Sequence, residues 1–357
     1  MPAYKTENKK RYAKFSYKNW KGELKFTTKR GFATKSEALQ YEHDYKMRLS
    51  KEIDMTFEDF VKEYRDSLYP RIRISTAASK DNVIDTKIIP YFRNFQISKI
   101  SSHDIIKWQN ELISFKNPKT GKPYSSTYLR TINNQMSAIM NFAVRFYNLS
   151  ENPVKKAGSI GIKNAKEMNF WTFEEYSQFS EAMMDEPLFY YCFQVLYWTG
   201  IREGELLALT YNDFDLQNKT ISINKTYQVV NGQEITGPPK TVKGIRTINI
   251  PDMLCDEMKE YFKMCYEKKG RIFPISNNVL RRAMERGIKH SGVKKIRIHD
   301  LRHSHISLLI NLGYSAVDIA KRVGHESITI TLNYAHMFPS VQEKITNELN
   351  GLMCQKR

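Results

Sequence analysis

The sequence predicts a multidomain, mainly α-helical protein with a small α+β domain at its N-terminal end. Apolar residues recur at helical spacing through most of residues 56–147, whereas strand-like stretches occur only near the N-terminus and around 220–250. A stretch rich in Pro, Gly, Ser and Lys separates two long segments. With 357 residues the chain can supply two or three cores of ordinary size. We expect five regions, which are 1–55, 56–149, 150–168, 169–340 and 341–357.

The first region is predicted to form a three-stranded sheet with one helix against it. RYAKFSY and ELKFTT are typical of short strands, and GFATKSEALQYEHDYKMRL indicates a glycine turn followed by a helix capped by Ser36 and carrying Leu39, Tyr41 and Tyr45. Residues 1–35 contain eleven Lys or Arg against two Glu. Such a sheet could present lysines and aromatic rings to a DNA groove, although charged blocks also occur as solvated tips without a ligand.

Residues 56–149 are predicted to form a four-helix domain, which at about 90 residues has an ordinary size. The first helix begins after Thr56 as its N-cap, the second spans 76–89 and ends at Pro90, and the third covers 102–115. The fourth, STYLRTINNQMSAIMNFAVRFY, carries one apolar stripe that indicates bundle core. The residues of this stripe are Leu129, Ile132, Met136, Ile139, Met140 and Ala143.

The rest of the chain is predicted to hold a linker, a second large domain and a terminal helix. Residues 150–168 are poor in large apolar side chains, which is typical of an interdomain linker. Residues 169–340 indicate a mostly helical domain with a small antiparallel sheet built from KTISINK, TYQVV and GIRTINI. Residues 341–357 indicate a helix with one apolar stripe, which packs either on its own domain or on a neighbouring protomer.

The charge of the chain points to a polyanionic partner. Lys and Arg number 56 against 38 Asp and Glu, which gives a formal net charge of +18. Such a surplus favours nucleic acid as the partner, ahead of an anionic membrane surface. The sequence has no run of about 18 apolar residues and no secretory signal, and its four cysteines form no CxxC pair. We therefore expect a cytoplasmic protein without a membrane span, a disulfide framework or a cysteine zinc site.

Six residues in separated motifs have the side chains that phosphate chemistry needs. Guanidinium groups match the geometry of a phosphate, imidazoles titrate near neutral pH, and a phenol becomes a nucleophile once its proton has an acceptor. Stabilising the charge that develops on phosphorus is commonly the largest catalytic contribution. In chain order these residues are Arg202 in TGIREGELLAL, Lys240 in GPPKTVKGIRTINI, His299 and Arg302 in HDLRHSH, His325 after Gly324, and Tyr334 in TLNYAH.

This order of residues resembles the tyrosine recombinase family of phage-type integrases, of the kind found in Gram-positive phages and conjugative transposons. The resemblance covers the whole chain. It implies an arm-type DNA-binding domain in 1–55, a core-binding domain in 56–149, a catalytic domain in 169–340, and protomer contact by 341–357. It also implies a homotetramer that exchanges strands of double-stranded DNA at core and arm sites through a Holliday junction. An excisionase and a host DNA-bending protein are further partners of such integrases.

The resemblance also implies a role for each residue. Arg202 and Arg302 would hold the scissile phosphate, with His299 and His325 as hydrogen-bond donors or proton shuttles. Tyr334 would attack phosphorus to form a 3′-phosphotyrosyl link, with His299 as the candidate base. Lys240 would protonate the leaving 5′-oxygen, and Glu205 would orient Arg202 or a histidine. This chemistry needs no metal, cofactor or ATP, and the sequence has no GxxxxGK[ST] loop.

Several alternatives stay open at the level of sequence. A type IB topoisomerase uses the same covalent chemistry on one duplex. SAVDIAKRVGHESITITLNYA also resembles a helix-turn-helix, and in a non-catalytic regulator Tyr334 would contact the groove. Lys243 and Arg246 compete with Lys240 as the basic group of the hairpin. His299 and His303 have zinc-ligand spacing, but without an HExxH motif we expect no metal, and we expect His303 and His305 to be structural or close to DNA.

Overall fold

The computed structural model describes residues 4–5, 11–18, 24–51, 55–162, 169–332 and 334. The chain divides into two compact units, 1–165 and 166–357. The described residues are mainly helical with small antiparallel sheets, so the predicted fold class is confirmed at that level. No helix among them is long and apolar enough to cross a membrane. The predicted terminal helix, 341–357, lies outside the described residues.

The N-terminal part of the first unit contains the predicted strands and helix. Its elements are β1 (Tyr4–Lys5), β2 (Arg11–Lys18), β3 (Leu24–Phe32) and α1 (Lys35–Lys51). The three strands are antiparallel in the order β1-β2-β3, and Ala13 and Phe15 of β2 are buried against Ala38 of α1. This small core joins the sheet to the helix.

The N-cap of α1 differs from the prediction. The Thr34 hydroxyl accepts the Glu37 amide at 3.1 Å, and the Glu37 carboxylate accepts the Ala33 amide at 3.0 Å. Thr34 and Glu37 thus satisfy free amides of the first turn, as in a capping box, so Ser36 as the cap is wrong. Ala38 of this helix faces the sheet, and Leu39 is exposed.

The rest of the first unit is a helical domain with one apolar core. Its helices are α2 (Phe57–Leu68), α3 (Ile74–Val83), α4 (Ile89–Phe92), α5 (Ser102–Ser114), α6 (Ser126–Phe146) and α7 (Pro153–Ala157). Thr56 accepts the Asp59 amide at 3.2 Å, so the predicted cap of α2 is confirmed. All six residues of the predicted α6 stripe are buried in this core.

Pro90 does not end the second predicted helix. The residues Ile84–Ile88 form a π-helical turn between α3 and α4, and helical backbone continues to Phe92. The Ile89 amide bonds to the Ile84 carbonyl, five residues back. Pro90 therefore stands at the start of a new helical segment, where its missing N–H is not required.

The predicted linker is folded over its first part. Asn152 caps α7 and donates to the Ser137 carbonyl at 3.0 Å and to Asn141 Oδ1 at 2.8 Å. Val154 is buried in the helical core. A linker over the whole of 150–168 is therefore wrong, because a buried asparagine and one apolar side chain attach its first residues to α6. Residues 163–168 lie outside the described residues.

The second unit is built around the apolar helix α9, which packs against α11 and α13. Its helices are α8 (Phe173–Glu181), α9 (Pro187–Thr199), α10 (Glu203–Leu206), α11 (Asp252–Met264), α12 (Asn277–Ser291), α13 (Asp300–Asn311), α14 (Ala316–Val323) and α15 (Ile328–Leu332). Its strands are β4 (Phe214–Asp215), β5 (Thr220–Ile223), β6 (Thr226–Val230), β7 (Gln233–Gly237) and β8 (Arg246–Asn249). The strands form a β4-β5-β8 sheet and a β6-β7 hairpin, both antiparallel.

Candidate active site

Arg202 stands where the chain turns out of the apolar helix α9. The helix ends at Gly200 in the left-handed conformation, and Arg202 begins the short helix α10 two residues later. The Arg202 amide donates to Glu205 Oε2 at 3.0 Å, and its Nη1 donates to Glu205 Oε1 at 2.8 Å. One carboxylate therefore holds both the backbone and the side chain of Arg202.

Glu205 also binds a second guanidinium group. The carboxylate is only 2% exposed, and Arg246 Nη2 donates to Oε2 at 2.9 Å. Burial opposes ionisation of Glu205, but Arg246 and Arg202 outweigh it and hold the pKa below its ordinary value. Arg246 further donates to the carbonyls of Arg322 and Gly244. It is thus a buried structural cation, which leaves it poorly suited to be the mobile basic group of the hairpin.

Arg302, on α13, is held by the ends of two other helices. Its Nη1 donates to the Gly200 carbonyl after α9, and its Nη2 donates to the Val323 carbonyl at the end of α14, both at 2.7 Å. The carboxyl end of a helix carries partial negative charge, so both ends stabilise the cation. Burial and the nearby Arg202 lower the pKa of Arg302 to about 9, so the guanidinium stays charged at neutral pH.

The two guanidinium groups converge at the end of α14. Arg202 Nη2 donates to the Gly324 carbonyl at 3.2 Å, next to the Val323 carbonyl that holds Arg302. Gly324 has φ of +69°, and a Cβ there would lie 2.9 Å from the Lys243 carbonyl. Each guanidinium has five N–H donors and uses two in these side-chain contacts. The Arg202 side chain is 41% exposed, so its remaining donors can reach an anion, whereas Arg302 is buried beside it.

His325 lies beside this convergence point, in the turn between α14 and α15. The sequence places it at the start of a helix, but α15 begins only at Ile328, because Gly324 ends α14 in the left-handed conformation. The ring is buried, and its Nδ1 is 2.8 Å from the Thr331 hydroxyl. Burial and the charges of Arg302 and Arg202 lower the pKa of His325 to about 3, so the ring is neutral.

Tyr334 is buried against α13 and α14, and its hydroxyl is hydrogen-bonded to His303 Nδ1. Burial raises the pKa of Tyr334 to about 12, while the nearby Arg302 acts to lower it. The side chain is 3% exposed and packs on α13 and α14, so it does not project from the surface as a groove contact of a helix-turn-helix would. The histidine at the hydroxyl is His303. The sequence prediction was different: His299 was the candidate base, and His303 was expected to be structural or close to DNA.

His299 stands directly before α13, one turn from His303. The two rings meet edge to face with centroids 5.1 Å apart. Burial and the charge of Arg302 lower the pKa of His299. Its side chain stays accessible to solvent, unlike that of Tyr334. The spacing of His299 and Arg302 therefore brings His299 to the rim of the arginine pair. The next turn of the helix carries His303, which contacts the phenol of Tyr334.

Lys240 is the predicted site residue that the structure leaves apart. It is exposed in the segment between β7 and β8, and no hydrogen bond or ion pair joins it to the other described residues of the site. Lys243, three residues on, instead donates to the Glu326 carbonyl at 2.9 Å.

His305 has the structural place expected for it. It is buried, and its Nε2 accepts the Arg322 Nε–H at 3.1 Å. The described residues contain no group of three or more His, Cys, Asp or Glu side chains that could hold a metal ion. The site as a whole is a cluster of fixed cations and neutral imidazoles beside a buried phenol. Such a cluster is suited to bind a phosphate and to stabilise added negative charge on it.

Comparison with known families gives matches along most of the chain. Residues 169–340 match the phage integrase family, 56–113 match the N-terminal SAM-like domain of phage integrases, and 2–48 match an arm DNA-binding domain. The ICEBs1 integrase of Bacillus subtilis (strain 168) is 28% identical over 343 residues, covering 90% of this chain and 91% of that protein. The integrase of Staphylococcus phage L54a is 26% identical over 299 residues, covering 73% and 82%.

Solved structures share the fold. The Tn1549 transposon integrase in complex with transposon right end DNA has a TM-score of 0.68 at 16% identity, covering 84% of this chain and 100% of that chain. A lambda integrase tetramer bound to a Holliday junction has a TM-score of 0.61 at 18% identity, covering 93% of each chain. With three family matches following one another along the sequence, this chain belongs to the phage integrase family and is a tyrosine site-specific recombinase.

Proposed function

We propose that this recombinase cuts and rejoins DNA with Tyr334 as nucleophile and with Arg202 and Arg302 holding the scissile phosphate. The observation that carries the proposal is the binding of both guanidinium groups to adjacent carbonyls, those of Gly324 and Val323. Two cations held this close repel each other unless an anion joins them, and a phosphodiester anion or the oxygens of a phosphorane supply that charge.

The cleavage step balances without a cofactor. The phenolic oxygen of Tyr334 bonds to phosphorus and loses its proton, the bond from phosphorus to the 5′-oxygen breaks, and that oxygen takes up a proton. The product is a 3′-phosphotyrosyl link and a free 5′-hydroxyl. Attack by a 5′-hydroxyl from the partner duplex reverses the step, so the bond energy is kept in the phosphotyrosine and no ATP is needed.

The other predicted residues assist at the phosphate. The Thr331 hydroxyl is hydrogen-bonded to Nδ1 of His325. With the hydroxyl as donor, the ring proton is on Nε2 and can be donated to a phosphate oxygen. His299 is a second donor at the rim of the arginine pair. Lys240 protonates the leaving 5′-oxygen, and because it is exposed and unpaired among the described residues, it is free to move onto bound DNA. Glu205 orients Arg202.

The relatives support a proposal for the larger assembly. We assign arm-site binding to 1–55, core-site binding to 56–149, catalysis to 169–340 and protomer contact to 341–357. The lambda integrase relative is a tetramer on a Holliday junction, and we propose the same assembly on double-stranded DNA for this chain. Action in the cytoplasm, and help from an excisionase and a host DNA-bending protein, complete the proposal.

A suicide duplex tests the nucleophile. A nick near the cleavage site lets the short 5′-hydroxyl fragment diffuse away, so the covalent adduct accumulates. The Tyr334→Phe variant should form no adduct yet bind the core site within a few-fold of the wild type, and peptide mapping of the wild-type adduct should find the modification on Tyr334. An adduct in the Tyr334→Phe variant would refute the assignment, and relaxation of a single duplex without strand exchange would favour a type IB topoisomerase.

A further inference from the structure

The first turn of α13 aligns a carboxylate, an imidazole and the phenol of Tyr334. His303 Nδ1 is hydrogen-bonded to the Tyr334 hydroxyl, and the two rings lie 5.6 Å apart. On the other side of the imidazole, Nε2 is 3.8 Å from Asp300 Oδ1. Asp300 is 1% exposed and His303 is half-buried, so water has little access to the contact between them.

One tautomer of His303 suits proton acceptance. With the imidazole proton on Nε2, Nδ1 accepts the phenolic O–H of Tyr334. That proton then faces Asp300, whose carboxylate also accepts Arg297 Nε at 3.1 Å and Nη2 at 2.7 Å. A carboxylate in this place favours the protonated imidazole. The gap of 3.8 Å is longer than a hydrogen bond, and catalytic contacts of this kind commonly tighten when the substrate binds.

We propose that His303 is the catalytic base that takes the phenolic proton of Tyr334, with Asp300 as the positioning residue for its imidazole. The inference rests on the proposed function, because it assumes that Tyr334 is the nucleophile. It differs from the sequence argument, which gave this role to His299.

The proton movement is complete within the three residues. The O–H bond of Tyr334 breaks as its oxygen bonds to phosphorus, and the proton moves to His303 Nδ1. The imidazolium keeps its Nε2 proton, which points to the Asp300 carboxylate. When a 5′-hydroxyl reattacks, the phenolic oxygen leaves phosphorus and recovers the proton from Nδ1.

The charges around His303 explain why the transfer needs the substrate. Burial, His299, Arg297 and Arg302 all disfavour the imidazolium, and only Asp300 favours it, so the pKa of His303 is lowered to about 4. A base this weak does not ionise a buried phenol in the resting enzyme. A scissile phosphate adds negative charge beside Arg302, which weakens the cationic field, and bond formation to phosphorus acidifies the phenol. Transfer of the phenolic proton to His303 is therefore confined to the DNA-bound state.

The test compares two histidine variants on two nucleophiles in the full-length chain. His303→Asn retains a hydrogen-bond acceptor near the phenol but cannot take a proton. Ring fluorination makes the phenol more acidic, so a fluorinated tyrosine placed at 334 has less need of a base. The rate of adduct formation on the suicide duplex is measured for wild type, His303→Asn and His299→Asn, each with natural and with fluorinated tyrosine. Core-site binding and thermal unfolding confirm that each chain is folded.

We expect His303→Asn to slow adduct formation about 100-fold with natural tyrosine, the order found for general bases, and less than about tenfold with the fluorinated residue. His299→Asn should slow both nucleophiles by the same factor, because it acts on the phosphate. Asp300→Asn should slow adduct formation less than His303→Asn does, and fluorinated tyrosine should again reduce this effect.

Two results would overturn the inference. One is a His303→Asn chain that is as fast as the wild type with natural tyrosine. The other is a His303→Asn defect that is equally large with both tyrosines, which would mean that His303 acts only on structure. An adduct in the Tyr334→Phe chain is a separate outcome, since it would remove the nucleophile itself and with it the proposed function.

Discussion

Glu205 determines the charge balance of the site, because one buried carboxylate stands between two arginines. It accepts Arg246 Nη2 at 2.9 Å and Arg202 Nη1 at 2.8 Å. We predict that Glu205→Gln lowers the free energy of unfolding by about 3 kcal/mol at neutral pH, since Arg246 is then buried without a counter-charge. Urea denaturation measures this loss. The control is Asp256→Asn, in an exposed pair with Lys259, which should stay close to the wild type.

The same residue predicts how stability changes with pH. The pKa of Glu205 is lowered on folding, so its stabilisation is fully present above the unfolded pKa near 4.5 and is lost as the pH falls through the lower folded value. The difference in stability between wild type and Glu205→Gln should therefore shrink below pH 4.5. A difference that stays constant through this range would show that the carboxylate charge does not stabilise the site.

Lys240 gives a prediction about the leaving group. Lys240→Ala should slow cleavage of the natural duplex strongly and cleavage of a 5′-thio duplex little, because a thiolate leaves without a proton. Lys243→Ala is the matched control, since Lys243 is in the same segment but bonds to the Glu326 carbonyl. Adduct formation on both duplexes measures the effect. The assignment of Lys240 as the acid would be contradicted if Lys240→Ala slowed cleavage of the natural and the 5′-thio duplex equally. It would also be contradicted if the 5′-thio duplex restored the activity of Lys243→Ala instead.

The limits of sequence reasoning at this scale are visible in two residues. Arg202, Arg302 and Glu205 could be proposed because the short motifs that contain them, TGIREGELLAL and HDLRHSH, resemble those of the tyrosine recombinase family. His303 was set aside because spacing along α13 does not show which histidine the distant Tyr334 will meet; that depends on how the turn after α14 returns to the helix. Lys240 lies on an exposed segment, and its contacts depend on DNA.

Among the elements, the turn after α9 bears most directly on the site. Gly200 has φ of +65°, and a Cβ there would lie 2.5 Å from the His305 ring. Its carbonyl also accepts Arg302 Nη1. We predict that Gly200→Ala destabilises the chain by about 3 kcal/mol or more, from left-handed strain and overpacking together, and greatly reduces adduct formation.

A second glycine separates these two causes. Gly313 has φ of +86°, but a Cβ there would meet nothing within 4 Å. Gly313→Ala should therefore show the left-handed strain alone, about 1–2 kcal/mol, with cleavage unchanged. Thermal or urea unfolding and the suicide duplex measure both variants. If Gly200→Ala were no worse than Gly313→Ala, the packing of the turn against His305 would not matter to the site.

Most elements could be predicted because their signals are local. The caps at Thr56 and the stripe of α6 depend on residues within one helix. Pro90 and Asn152 were misjudged because tertiary contacts override local signals. A π-helical turn lies before Pro90, so the missing amide of the proline does not end the helical backbone. The buried Asn152 donates to a carbonyl of α6, and the segment that follows is therefore folded against that helix.

At the scale of the whole molecule, the positive charge is divided unevenly. The formal net charge is +18, and the first 35 residues hold eleven Lys or Arg against two Glu, so about half of the excess lies in a tenth of the chain. Phosphate contacts release counterions, and the logarithm of the binding constant falls with the logarithm of salt concentration in proportion to their number. Two DNA-binding regions of this kind should give two separable salt dependences.

Removal of residues 1–55 tests this division. The truncated chain should lose arm-site binding while it keeps core-site cleavage, and its salt slope on a core duplex should match that of the full chain. On a duplex with arm and core sites together, the full chain should show the steeper slope, because the N-terminal lysines add phosphate contacts. Cooperative unfolding of the truncated chain is the control for its folding. Loss of core cleavage in a folded, truncated chain would contradict the boundary at 55 and would mean that the N-terminal region supports the core-binding helices directly.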